Sequence, residues 1–218
     1  MIADTLRYLD ALTEELRKKW PDNRSVNIVC HGHSVPAGYF ATPFVNTFEA
    51  YPALLHRIIK DRFPFAVVNV IVTAIGGETS PRGAERFHDD ALCHKPDLVT
   101  IDYGLNDRRA GLAQAGAAWR KMIEAALAKS VKVILLTPSW DTSFFAGNEQ
   151  WSLLESHAAQ IRSLAGEYGT GLADSFEAFR ERVHKKEDLT ALLSHSNHPS
   201  AQGHRLIAET LAAFFQAG

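Results

Sequence analysis

The chain has 218 residues, 46% of them hydrophobic, which is enough apolar surface for a sizeable core and a length that suits a single domain over 1–218. Its 23 basic and 25 acidic residues nearly cancel and are interspersed, so no polybasic stripe proposes nucleic acid or an anionic membrane as a partner. No segment is long and apolar enough to span a bilayer, and the opening MIADTLRYLDALTEELRKKW lacks the unbroken apolar stretch of a secretory signal, so a soluble, cytoplasmic protein is expected.

Ile2, Leu6, Leu9, Leu16 and Trp20 recur at helical spacing and predict a first helix. Apolar runs rich in β-branched residues follow at 25–30 (SVNIVC), 66–72 (AVVNVIV), 97–102 (DLVTID) and 131–137 (VKVILLT), with a weaker one at 170–174 (TGLAD). Continuous apolar character of this length reads as strands buried on both faces. Leu112, Ala115, Trp119, Met122, Ile123 and Ala126 mark a helix after the third run, and Trp151, Leu154, Ala158 and Ile161 mark another after the fourth. Periodicity assigns the tryptophans of these helices to the core. HKKED at 184–188 reads as a solvated helix end. A last helix carries Leu206, Ile207, Leu211, Phe214 and Phe215, with Ser200 as its cap after Pro199. Strands alternating with helices argue for a parallel sheet covered by helices on both faces and joined by right-handed crossovers. Two cysteines, Cys30 in an apolar run and Cys93 at a helix end, lack metal-type spacing and are expected to be buried reduced thiols.

In such sheets ligands bind beyond the carboxyl ends of the strands, where the strand order reverses. The segments after the first three strands are HGHSVPAGY (31–39), TAIGGETSPRG (73–83) and YGLNDRRAG (103–111), all rich in glycine and small polar residues. Ser34 stands in the first, and His198 lies far along the chain in SHSNHPSAQGH, just before the last helix. A serine hydroxyl is a poor nucleophile until a base takes its proton, so a serine with a distant histidine is the pairing that acyl transfer requires. In a chain with ten histidines that pair says little by itself, because a loop serine is most often a cap or turn residue. Convergence adds weight. Gly77 and Asn106 fall on the loops of the neighbouring strands and offer a backbone and an amide N–H. With the N–H of Ser34 they make a donor cluster suited to a tetrahedral oxyanion, worth about 3 kcal/mol per donor.

These blocks resemble the SGNH or GDSL-type hydrolases. GHSVPAGY resembles the first block, G-D-S-x-x-x-G-Y, with Ser34 as nucleophile. IGGETS and GLND resemble the second and third, with Gly77 and Asn106 as oxyanion donors. NHPSAQGH resembles the last, D-x-x-H-P, with His198 as base. The resemblance implies a three-layer α/β/α flavodoxin-like fold, a five-stranded parallel sheet of order 2-1-3-4-5, and hydrolysis of a small-molecule ester or thioester with neither cofactor nor metal.

Histidine replaces aspartate at two family positions, His33 in the first block and His195 in the last. The second matters for mechanism, because that acid orients the catalytic imidazole; in serine proteases its change to asparagine lowers turnover about ten-thousandfold. Three substitutes are open: the backbone carbonyl of His195 or Ser196, the neutral ring of His195, or a carboxylate from elsewhere, Asp174 or Asp188. Two other functions compete. His31, His33, His195 and His198 could converge on a metal in a metal-dependent hydrolase, or the chain could be a carbohydrate-binding relative that has lost catalysis. His31, His33 and Asp107 are expected to brace their loops. Trp140, Asp141, Phe144 and Phe145 either line an acyl or sugar pocket or pack on the core. Substrate and oligomeric state are not legible.

Overall fold

The computed structural model describes residues 1–186 and 188–216. The five apolar runs form the strands β1 (Ser25–Gly32), β2 (Val67–Val72), β3 (Leu98–Asp102), β4 (Lys132–Leu136) and β5 (Gly171–Ala173). They make one parallel sheet in the order 2-1-3-4-5. Nine α-helices are assigned among the described residues: α1 (Asp10–Arg17), α2 (Ser34–Ala37), α3 (Tyr51–Arg62), α4 (Ser80–Arg86), α5 (Leu112–Leu127), α6 (Ser143–Ala146), α7 (Glu149–Tyr168), α8 (Ser175–His184) and α9 (Ala201–Ala212). This is the α/β architecture expected.

The two-residue period of a strand sends neighbouring side chains to opposite helical layers. Val26, Ile28 and Cys30 of β1, Leu98 of β3, and Ile134 and Leu136 of β4 join Leu55 and Ile59 of α3, Phe176 and Phe179 of α8, and Ile207 and Leu211 of α9 in one core. Val29, Val99, Ile101, Val133 and Leu135 pack on the other face against Trp119, Met122 and Ile123 of α5 and Ile161 and Leu164 of α7. Strands with both faces covered this way must read as unbroken apolar runs. β2, at the sheet edge, leaves Val67 and Val72 exposed.

Two expectations need correction. The first helix is confined to Asp10–Arg17; Leu9, Leu12 and Leu16 are buried, whereas Ile2, Leu6 and Trp20 are exposed, Trp20 by 85%. Pro21 follows Trp20, and a residue before proline is pushed out of helical conformation, so the apparent period ran past the helix. Cys30 is buried but Cys93 is exposed, because its one-turn helix lies at the surface before β3. The HKKED segment is a solvated helix end as expected: α8 ends at His184, and His184, Lys185, Lys186 and Asp188 are exposed, with residue 187 outside the described residues.

Three histidines are held in the interior. His31 has Nδ1 2.8 Å from Thr73 Oγ1 and Nε2 3.1 Å from the Gly83 carbonyl, and burial, with Arg86 nearby, pushes its pKa down to about 4. His157 is lowered to about 4 by burial and by Arg108, and His204 to about 3 by burial and by His198. An unfolded chain takes up these protons near 6.5, the ordinary imidazole value, and the folded chain does not until far lower. Their contribution to stability is therefore complete above about 6.5 and is lost as the pH falls towards 4. Thermal denaturation should show a midpoint that drops across this window, and His157→Phe, which removes a buried ring whose Nε2 has no hydrogen-bond partner among the described residues, should make the drop shallower. Equal slopes for the two proteins would contradict this.

Candidate active site

The carboxyl ends of β1 and β3 meet in the register Gly32 with Asp102. The approach is so close that a Cβ on Gly32 would stand 2.4 Å from the Asp102 carbonyl oxygen and 2.8 Å from Pro36 Cγ. The His33 N–H donates to that same carbonyl at 3.2 Å, and its ring Nδ1 accepts from the Val35 N–H at 3.2 Å, capping α2. Ser34, 5% exposed, is the first residue of α2, where a helical N–H has no intrahelical acceptor. Gly38 ends the short helix at φ +88°, in the left-handed region that favours glycine. The chain then folds back through the Tyr39–Val45 bridge, with Phe40 N–H donating to the Phe44 carbonyl at 3.0 Å.

His198 arrives from the far end of the sequence. Leu193 and Pro199 pair as an isolated bridge, and Ser194 N–H donates to the His198 carbonyl at 2.9 Å. Ser200 caps α9 immediately afterwards, accepting from Gly203 N–H as expected. His198 Nδ1 lies 2.7 Å from the Phe40 carbonyl and Nε2 lies 2.9 Å from Ser34 Oγ. A carbonyl can only accept, so Nδ1 carries the proton and Nε2 presents its lone pair to the serine hydroxyl. Burial lowers the His198 pKa, the Phe40 carbonyl opposes that shift, and His33 and His195 add to it. A neutral imidazole aimed at a serine hydroxyl can withdraw its proton.

None of the three anticipated partners orients the ring. The Ser196 carbonyl accepts from Thr142 N–H. His195 is exposed, with its Nδ1 3.2 Å from Ser196 Oγ. Asp174 caps α8 and binds Arg162 and Thr137, and Asp188 caps the turn at Thr190. Both carboxylates are committed to local helix starts. The acceptor is a backbone carbonyl 158 residues away.

Gly77 sits in a turn closed by Glu78 N–H on the Ile75 carbonyl, at φ +76°, and Arg109 donates to its carbonyl. Glu78, paired with Arg86 and accepting from the Tyr103 hydroxyl at 2.8 Å, anchors that turn. Asn106 Nδ2 donates to the Glu78 carbonyl at 2.9 Å, which spends one of its two N–H groups and joins the loops after β2 and β3. Asp107 does brace its loop: fully buried, it accepts from Ser80 N–H at 2.7 Å and Trp119 Nε1 at 2.8 Å. Trp140 packs on Phe144, Trp151 and Phe176, Asp141 pairs with Arg108 at 2.6 Å, and Phe145 is exposed.

The four histidines weighed as metal ligands are engaged with backbone and hydroxyl groups, and among the described residues no group of three or more His, Cys, Asp or Glu is arranged to hold a metal ion. Sequence reasoning missed Phe40, because its contribution is a carbonyl that every residue has. It also missed Tyr39, whose ring lies 6.0 Å from that of His198 and closes against Gly76.

Residues 30–206 match the GDSL-like lipase/acylhydrolase family. An acetylxylan esterase of Geobacillus stearothermophilus is 25% identical over 173 residues, covering 72% of this chain and 77% of the relative. One from Xylanibacter ruminicola is 27% identical over 140 residues, covering 61% of this chain but only 28% of that longer protein. In three dimensions the chain is similar to Axe2, the Geobacillus acetylxylan esterase, with a TM-score of 0.76 at 21% identity over 87% of this chain and 94% of that one. A putative lipolytic protein of the G-D-S-L family from Desulfitobacterium hafniense gives a TM-score of 0.70 at 23% identity over 87% and 99%. The chain belongs to the GDSL-like lipase/acylhydrolase family and is a carboxylic ester hydrolase of the SGNH type.

Since no side chain fits at residue 32, Gly32→Ala should separate the ends of β1 and β3, cost about 1–3 kcal/mol as an overpacked site does, and reduce esterase activity at the same time. Denaturant unfolding at wild-type midpoint would show that the approach is not as tight as these distances make it.

Proposed function

We propose that the chain cleaves a small ester, with the O-acetyl group of a carbohydrate as first choice, through a serine–histidine dyad. The observation that carries the reading is the line from Ser34 Oγ to His198 Nε2 at 2.9 Å and from His198 Nδ1 to the Phe40 carbonyl at 2.7 Å. Ser34 attacks the acyl carbon as His198 takes its proton. The oxyanion is held by the Ser34 N–H, the Gly77 N–H and the second N–H of Asn106 Nδ2. His198 then returns its proton to the departing alcohol, and a water deprotonated by the same ring releases the acid.

The Geobacillus esterase has catalytic mutants at a serine, a histidine and an aspartate. Here a neutral carbonyl keeps the imidazole tautomer but gives the imidazolium less than a carboxylate would. The acetyl-carbohydrate preference rests on those relatives and on a polar basin of about 310 Å³ beside the His198 loop. Arg108, Thr142, Ser143, Asn148, Ser196 and Asn197 line it, an array suited to a hydroxylated leaving group. A second groove of about 320 Å³, lined by Pro36, Ala37, Val70 and Val72 among others, is more apolar; Ser34, Gly77, Asn106 and His198 line neither hollow. The reading keeps one domain acting in the cytoplasm on a small molecule.

The test is hydrolysis of nitrophenyl esters from acetate to longer acyl groups, together with acetylated xylo-oligosaccharides. Acetate should be the best ester, Ser34→Ala should abolish turnover, and Asn106→Ala should lower kcat about a hundredfold to a thousandfold. His198 works only when neutral and burial lowers its pKa from 6.5, so kcat/KM should hold as the pH is lowered to that value and fall below it. A rate that rises with acyl length would move the substrate to lipids, and activity surviving in Ser34→Ala would remove the nucleophile.

A further inference from the structure

The family carries an acid directly before its serine, and here that position is His33, whose surroundings repeat the parts that His198 lacks. The His33 ring is 1% exposed. Its Nδ1 accepts from Val35 N–H at 3.2 Å, so that nitrogen bears a lone pair and Nε2 bears the hydrogen. Nε2 lies 3.3 Å from Asp102 Oδ1, a carboxylate whose side chain is 6% exposed, within electrostatic reach but without a hydrogen bond, and Nε2 has no hydrogen-bond partner among the described residues. The same Nδ1 lies 3.4 Å from Ser34 Oγ. The serine hydroxyl therefore has two imidazoles within reach: His198 at 2.9 Å, held by a neutral carbonyl, and His33 at 3.4 Å, whose other nitrogen stands next to a carboxylate. The shorter contact takes the proton, and His33 Nδ1, whose lone pair is given to Val35 N–H, packs beside the hydroxyl oxygen and limits where it can sit.

We infer that His33 is a positioning residue for Ser34, and that in place of the carboxylate absent behind His198 the neighbouring Asp102–His33 pair supplies the negative charge. This rests on the serine–histidine reading above. As Ser34 gives up its proton, His198 gains a positive charge against which only the Phe40 carbonyl is directly placed. Asp102, a buried carboxylate next to the His33 ring, supplies field at low dielectric. The groups that face this line are His195 from the loop of His198, His204 from α9 and the Tyr39 ring. Around the His33–Asp102 pair stand Asp107, after β3, and Tyr51 of α3.

The experiment compares His33→Asn, Asp102→Asn and the double variant by steady-state kinetics on nitrophenyl acetate across pH, with thermal midpoints recorded. Asparagine is itself a good helix cap, so His33→Asn keeps the acceptor for Val35 and removes the ring. Both single variants should lose about tenfold to a hundredfold in kcat with KM nearly unchanged. The double variant should lose no more than either, because the pair acts as a unit. In Asp102→Asn the acid limb of kcat/KM should move to lower pH, since removing the nearby negative charge disfavours the imidazolium. A cap-only role predicts wild-type kcat and an unmoved limb in His33→Asn, and that result overturns the inference while leaving the esterase reading intact. A wild-type chain inert towards every ester overturns both. If a variant does not fold, the nitrogen shifts of the wild-type His33 ring decide: a proton on Nε2 and none on Nδ1 at the pH of activity supports the inference, and the reverse tautomer or a doubly protonated ring ends it.

Discussion

The hydrogen bond from His198 Nδ1 to the Phe40 carbonyl is the constraint on which the site turns. It fixes which nitrogen of the ring is bare, and so decides whether Ser34 faces a base or a second donor. The bond costs no buried charge, unlike a carboxylate in the same place, whose desolvation would have to be offset by further donors. What it requires is a rigid carbonyl. Phe40 meets that need: it follows the Gly38 turn, it is held by Phe44, and its ring stacks on buried His204 at 4.9 Å. His204 in turn accepts from Tyr51 N–H, so α9, α3 and the loop after α2 share one joint.

The strand order brings the remaining groups to the same place. β1 is flanked by β2 on one side and β3 on the other, so the loops leaving these strands part at the carboxyl edge and open a crevice there. Each proposed donor sits on one of them, and each loop is tied to its neighbour: Asn106 to the Glu78 carbonyl, Asp107 to Ser80, and His33 to Asp102. The oxyanion site proposed, drawn from three loops, requires that the loops not move independently, and these cross-links tie them together.

Much of this was legible in the residues, for reasons that differ by element. The strands showed because burial on both faces forces unbroken apolar runs. The long helices α5 and α7 showed because each buries one stripe. The first helix was overextended because an exposed Trp20 next to proline happened to fit its period. Ser34, Gly77, Asn106 and His198 could be singled out because short blocks in order carry side-chain identities. The acceptor for His198 could not be found that way. A backbone carbonyl leaves no mark on the sequence, and its position follows from a fold that joins residues 158 apart. Asp102 was hidden for a related reason, since the last residue of a strand becomes a partner only once the register with Gly32 is known.

The most direct test of the central claim is covalent labelling with a fluorophosphonate followed by peptide mass mapping. The account predicts one adduct per chain, on the peptide that carries Ser34, formed slowly or not at all when His198 is replaced by alanine. Labelling at another residue, or an adduct that persists in Ser34→Ala, would contradict it.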